Sequence, residues 1–514
     1  MKRNYFVFCL MALFGSLNMQ AYDFEVGGIY YTITDTASAS PKVAVVANTE
    51  QLYEGSVAIP ATVTSNGKTY SVTAIGEKAF YFCKGLTAVT IPENVTEIGS
   101  NAFRNCAGLT ALALPAGVTS IGYSAFFGCS GLTAFTIPAG VTTIEPYTFF
   151  GCKRLAGINL GGITKIGGSA FASCTALTSV NIPANIGQIE SYTFQNCTGL
   201  SSVTIPAGVA NIGDAAFQGC TGLTSVTIPE GVAQIGRAAF EGCTGLTSLT
   251  IPSTVKSMVS SSFGECTNLT SIAVADGNAV YDSRNNCNAI IETYEEKKSG
   301  ETILHYKLVL GCKATVIPDG VTEIGSMAFL GCTGLTSLDI PASVTSIGVA
   351  AFMDSGLTAI TIPENVNVID ESCFEDCISL VSVVLPAAVT SIDDAAFAGC
   401  ISLRDFYCKA EKNPKATADA FTDTPIEVAT LHVPEAAIGV YTLNEPWSLF
   451  GNVVADDGNL VAPEKDAETA IAGLQDAGKL VQVYSLGGQQ NSKLQRGINV
   501  VRMSDGTTRK VFVK

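Results

Sequence analysis

The sequence predicts a solenoid wound in coils of 23 residues, with one short strand per coil stacked into a curved parallel β-sheet. Two observations predict it. Cysteines recur at 83, 106, 129, 152, 174, 197, 220, 243 and 266, in steps of 23 except for the 22 between Cys152 and Cys174. The series resumes at Cys332, Cys377 and Cys400. Phenylalanine keeps the same beat three residues earlier, from Phe80 to Phe263 and again at Phe329, Phe352, Phe374 and Phe397. A fixed period of this length around an L-x-x-L-x-L core marks a leucine-rich-repeat solenoid. A β-rich N-terminal cap and a small C-terminal β module complete the predicted fold class.

One copy shows the physics. In LTSVTIP at 223–229, Leu223, Val226 and Ile228 are expected to point inward. Ser225 and Thr227 alternate outward, as a period of two requires. Pro229 has no N–H and ends the ladder. Val232 and Ile235 turn the chain back over the core, and Gly236 is read as the residue that permits the turn. Ala238 and Ala239 are small enough for a tight arc before Phe240. One coil cannot bury these residues alone; stacked coils make ladders of Leu, Val, Ile and Phe. Parallel strands lie ~4.8 Å apart, so about thirteen coils give an array on the order of 60 Å long. Each repeated cysteine takes one coil position in an apolar pattern, so the expectation is a ladder of buried thiols. Side chains in register run parallel, which does not favour disulfides, and a ladder spreads ligands that a metal would need to converge.

The string IP-x-x-V-x-x-IG-x-x-AF-x-x-C-x-x-L, as in IPAGVANIGDAAFQGCTGL at 205–223, resembles the BspA-like leucine-rich repeats of bacterial surface proteins. The resemblance runs from about 72 to 405. It implies a curved solenoid, export, and a protein-binding or adhesive role, without specifying one ligand.

The ends carry their own signals. MKRNYFVFCLMALFGSLNMQA has Lys2 and Arg3, then an apolar run from Tyr5 to Leu13, and reads as a signal peptide ending at Ala21. The run is too short for the ~20 residues of a spanning helix, and no transmembrane segment is expected after its removal. Residues 22–71 lack the repeat, alternate like strands, and are read as an N-terminal cap. Coils occupy 72–273 and 318–405. Between them, 274–317 reads as a long repeat with a protruding hairpin, NAIIETYEE and ETILHYKLVLG flanking KKSG. The repeat decays into a closing cap at 406–454, which holds the only tryptophan, Trp447. Residues 455–469 are polar and read as a linker.

Residues 470–514 read as a separate β-rich tail. From Ala477 onward there are seven Lys or Arg and one Asp, a net of +6 in a chain whose net charge is −16. VYSLGGQQ, RGINVV and the final KVFVK resemble the sorting domains of the type IX secretion pathway. That resemblance implies contact with secretion machinery and a place on the outer face of a Gram-negative outer membrane. The alternative is a small β module packed on the array.

No catalytic constellation is legible. The two histidines, His305 and His432, sit in no H-E-x-x-H, and no G-x-S-x-G, P-loop or G-x-G-x-x-G occurs. Cys287 and Cys312 leave the ladder near His305 but read as long-repeat core. Asp276, Asp282 and Asn285 match no calcium loop. No cofactor or metal is expected. The acidic balance argues against a nucleic-acid partner, whose phosphates are held by Lys and Arg.

The remaining candidate is surface. Outward strand positions make two small polar rows, with Asn159, Asn181, Thr204, Thr227 and Thr250 beside Ser202, Ser225 and Ser248. Such a face serves solubility, or binds a protein or glycan on a host or bacterial surface. Two functions fit: an exported adhesin or interaction scaffold, and a structural component whose arrays assemble with each other at the cell surface.

Overall fold

The computed structural model describes residues 22–38, 40–48 and 51–456, together with four strands between 480 and 513. The segment read as a signal peptide, 1–21, and nearly all of that read as a linker, 455–469, lie outside the described residues.

The chain forms a solenoid of parallel coils. The expected strand is present at Ser179–Asn181, Ser202–Thr204 and Ser225–Thr227, paired in parallel register. A second parallel ladder was not foreseen. Gln188–Ile189, Asn211–Ile212 and Gln234–Ile235 pair in the same way on another side of the coil. Ile235 therefore does more than turn the chain: it is a strand residue with its side chain in the core. Leu223, Ile228, Val232, Ile235 and Phe240 are buried, and Val226 is half-buried against them.

Phe rings run down the interior. Phe217 and Phe240 are 5.1 Å apart, centroid to centroid, with ring planes 9° apart, and offset stacks of this kind add to area burial. The stack runs unbroken from Phe80 to Phe263 and resumes from Phe329 to Phe421. Burying one Phe is worth roughly 1.5–3 kcal/mol, so the stack is a main stabilising element.

Gly236 needs a correction. The residue with left-handed backbone is Ala238, φ 54°. A Cβ on Gly236 would instead meet the Asp214 backbone N at 2.6 Å and the Gly213 carbonyl carbon at 2.7 Å. The glycine is there because the neighbouring coil touches it, not because of its own dihedrals.

The N-terminal strands join the array directly. Thr62–Ser65 and Lys68–Ile75 form a hairpin closed by Asn66 and Gly67, both with positive φ. Lys68–Ile75 then pairs in parallel with Glu97–Ile98 of the coil sheet. Gly55–Ala58 pairs in parallel with Leu86–Thr90 on the other strand side. Near the C-terminal end Trp447 is fully buried, donating from Nε1 to the Pro414 carbonyl at 3.1 Å and packing on Tyr441.

The hairpin Ile290–Lys298 and Glu301–Leu310 interrupts the repeat, turning at Ser299 and Gly300. It returns to the array where Leu308 pairs with Ile324. Gly311 then takes the place of a ladder Phe: its N–H bonds the Ala328 carbonyl, as Phe80 N–H bonds Ala102. The strands Leu480–Ser485, Gln490–Asn491, Gly497–Met503 and Thr508–Val513 make a separate antiparallel sheet. Among the described residues no helix is long and apolar enough to cross a membrane.

Candidate functional site

The cysteine ladder is an interior device. All described cysteines are free thiols. Apart from Cys83 and Cys332, which aim at the Tyr81 and Gly311 carbonyls, each ladder thiol donates to the Phe carbonyl of the preceding coil: Cys106 to Phe80 at 2.9 Å, Cys220 to Phe194 at 3.1 Å, Cys243 to Phe217 at 3.2 Å. The apolar pattern predicts the buried thiols but not this bond: the slot also takes a donor. Thr424 confirms this, because its hydroxyl makes the same bond to the Phe397 carbonyl. Burial pushes the Cys129, Cys174 and Cys220 thiols up to about 12, so they are neutral and poor nucleophiles.

The histidines are also occupied. His305 stacks on Tyr294 and bonds Glu296 at 3.1 Å, while Cys287 and Cys312 aim at the Ala289 and Asn288 carbonyls. His432 bonds Asp405 at 3.0 Å and stacks on Tyr407. Asp282 is held by Arg284. Among the described residues no cluster of His, Cys, Asp or Glu has the makings of a metal site.

The strand face lies where the alternation places it. Ser202, Thr204, Ser225, Thr227, Ser248, Thr250, Asn159 and Asn181 are all exposed. Asn181, Thr204 and Thr227 stand in register across three coils, and Ser202 and Ser225 stand beside them. Ser248 and Thr250 continue in the next sheet, facing Ser271 and Ala273. Asn159 stands apart: its Oδ1 accepts from Gly161 N–H at 3.0 Å and is committed to a local turn. A neighbouring hydroxyl row stitches coils together, with Thr224 donating to the Ser201 carbonyl and Ser201 to Thr178. None of these exposed side chains carries a charge.

A second surface escaped sequence reading. The turn around each Phe makes a ridge along the array, joined by a coil-to-coil row of backbone bonds. Phe82 N–H donates to Arg104 O, Asn105 to Phe127, and the pattern continues to Gly399 and Thr422. The long repeat does not break it, because Glu265 N–H bonds Leu330 O directly.

The ridge changes chemistry along its length. It carries exposed rings, Tyr81, Phe82, Tyr123 and Tyr147 over the first coils and Tyr192 beyond them. Arg104 lies 3.9 Å above the half-buried Phe127 ring, which stacks on Phe150 at 4.6 Å. Tyr123 meets Tyr147 edge-on at 5.6 Å. Further along, the corresponding residues Gln195, Gln218 and Glu241 form a ladder of side-chain hydrogen bonds.

Several of these rings are held at a conformational cost. Tyr147 has φ 60°, Tyr192 φ 63° and Phe82 φ 61°. Left-handed backbone costs a residue with a Cβ roughly 1–2 kcal/mol, and other coils fill these two positions mainly with Asn, Asp, Ser, Ala or Gly. Large apolar side chains that are both exposed and strained are the kind retained for a purpose. The signal was in the sequence: these rings all fall within three residues of a ladder Phe.

Comparison with known proteins agrees with the fold. A profile of the BspA type leucine rich repeat region matches six copies, over residues 73–201, 187–304 and 306–427. A leucine-rich repeat protein from Bacteroides ovatus ATCC 8483 is 28% identical, with TM-score 0.55, covering 77% of this chain and 99% of its own. A leucine rich cell surface protein from Faecalibacterium prausnitzii A2-165 is also 28% identical, with TM-score 0.47, covering 84% of this chain and 96% of its own. No curated protein matched the sequence. The repeat string, the stacked coils and the matched profile together make this chain a member of the BspA-type leucine-rich-repeat family.

Proposed function

We propose that this chain is an exported, surface-displayed scaffold that binds a protein or glycan of a host or bacterial surface and catalyses nothing. The observation that carries the reading is the strand face: exposed Ser and Thr rows in register over successive coils. Small polar side chains lack the aromatic and Arg anchors of tight interfaces. Contact is therefore broad and modest per molecule, and gains strength when many copies share a surface.

The test is the triple variant Thr204→Glu, Thr227→Glu, Thr250→Glu, probed against immobilised host-matrix proteins and bacterial-surface glycans. The three positions point outward, so folding is retained. Binding falls at least tenfold if this is the site. Unchanged binding by the folded variant refutes the strand face and moves attention to the hairpin at 290–310.

Export rests on the leader at 1–21 and on the basic β-rich tail, which we propose engages the secretion machinery and brings the chain to the outer face of an outer membrane. Deleting residues 460–514 is expected to leave a folded array trapped before the surface. Normal display of the truncated chain, scored by surface labelling of intact cells, would refute this role.

A further inference from the structure

The ridge has two ends of opposite character. Within four residues of its first four ladder Phe the ridge holds Lys78, Lys84, Arg104 and Lys153 against Glu77 and Glu145, although the chain as a whole is strongly acidic. Residues 361–400 hold seven Asp or Glu and no Lys or Arg. At that far end Met327 and Val349 are exposed on the ridge, and Leu330 and Met353 are half-buried beside them. Glu371 and Asp393 are exposed there too, with Glu375 half-buried. Asp370 is pushed up by burial and by its neighbour Asp393, so the carboxylates there repel one another.

We propose that the ridge binds a second copy of this chain, laid antiparallel against the first about a two-fold axis. Counted by their ladder Phe, thirteen coils run from Phe80 to Phe397, and Phe217 is the seventh. A two-fold axis there sets the first coil against the thirteenth and the fourth against the tenth. Lys84 of one copy then meets Asp393 and Asp394 of the other. Arg104 meets Glu371 and Glu375. The rings Tyr123 and Phe127 meet Val349 and Met353, and Tyr147 and Phe150 meet Met327 and Leu330. Cation meets carboxylate at the two outer steps and aromatic meets aliphatic at the next two, and the hydrogen-bonded Gln195, Gln218 and Glu241 occupy the middle. A self-complementary patch of this kind closes a dimer, because residue i contacts j and j contacts i. Methionine against aromatic rings is itself a favourable contact.

The ring geometry favours this partner over a sugar. Phe127 has Arg104 on one face and Phe150 on the other, and Tyr123 and Tyr147 are tilted 63° to each other. Neither Phe127 nor the Tyr123–Tyr147 pair leaves a flat open platform for a pyranose, whereas edges and side-chain tips suit a protein surface. The proposal does not rest on the strand-face reading, because the ridge is a different segment of each coil.

Sedimentation of the purified full chain tests it. The wild type is expected to sediment as a dimer at low salt and to dissociate at least tenfold more readily at 1 M salt, where the Debye length is about 3 Å. The variant Lys84→Glu, Arg104→Glu carries two acidic ridge ends, and the variant Glu375→Lys, Asp393→Lys two basic ones. Each alone is expected to be monomeric, and an equal mixture to restore the dimer. Tyr147→Ser, the residue already at 124 and 169, should weaken the dimer at least tenfold while the fold keeps its melting temperature. A wild type that is monomeric at its highest soluble concentration overturns the proposal. So do charge variants that still dimerise, or folded variants whose mixture stays monomeric. None of these outcomes bears on the strand-face test.

Discussion

The ridge over its first four coils and the ridge around Phe194 to Phe240 share one backbone and differ in most of the chemistry attached to it. Both use the same coil-to-coil bonds, Asn105 to Phe127 in one and Asn196 to Gln218 in the other. Both sit over the same stack of buried Phe. Yet one presents Tyr, Phe and Arg, and the other an amide–carboxylate ladder with one exposed ring, Tyr192. The backbone row and the interior are sufficient to build a coil. The ridge side chains are thereby free to vary, and their choice reports on something outside the coil.

If the two stretches share an interior, they share its weaknesses. The largest is alkaline. Ladder thiols have folded values raised to about 12 at Cys129, Cys174 and Cys220, against an ordinary value near 9. A raised value means the folded state holds its proton longer than the unfolded state. The stabilisation is complete below pH ~9 and is lost as pH rises toward 12, at about 1.4 kcal/mol per pH unit for each thiol. Melting temperature followed from pH 8 to 11 is expected to fall steeply. Replacing Cys129 and Cys220 by Ser, a hydroxyl donor like that of Thr424, should flatten the fall. A flat profile in the wild type would break the account of a buried thiol ladder.

Phe126→Ala and Phe217→Ala sharpen the comparison from inside. Each removes one ring from the stack, and such truncations cost roughly 3–5 kcal/mol. Because repeats couple mainly to neighbours, the two losses in chemical denaturation should be alike despite their different ridges. A large difference would show that the ridge residues do contribute to coil stability.

The smallest effect has the opposite sign. Tyr147→Asn replaces a strained, exposed ring by the residue found at the equivalent position 101. It is expected to stabilise the array by about 1 kcal/mol, since Asn tolerates left-handed backbone better. The reverse change in the central stretch, Asn196→Tyr at a left-handed position of the same turn, should destabilise by a similar amount. Thermal denaturation of the pair reads both signs at once.

Much of this was legible in the sequence because the interior is periodic. The beats of Phe240 and Cys243 fix which side chains share a ladder, and Ser225 and Thr227 follow from alternation. Gly236 was misread because a glycine required by a neighbouring coil looks, in one dimension, like a glycine required by its own turn. The second strand ladder at Gln234–Ile235 is only two residues long in each coil, too short to leave a period-two signature. The thiol bond to Phe217 joins residues 26 apart, and no local pattern shows it. The ridge escaped because its side chains do not repeat: Tyr147, Ser169 and Tyr192 hold one structural position with unlike chemistry.

The backbone row of the ridge also sets how the array bears a pull. Its bonds run from coil to coil along the solenoid, so a load between the two ends falls in full on every junction rather than being shared. Junctions in series yield one at a time, weakest first. Each one lost frees a coil of 23 residues, about 80 Å of extended chain at ~3.5 Å per residue. Under tension such a protein lengthens in steps and reforms coil by coil, a tether that absorbs a tug before it lets go.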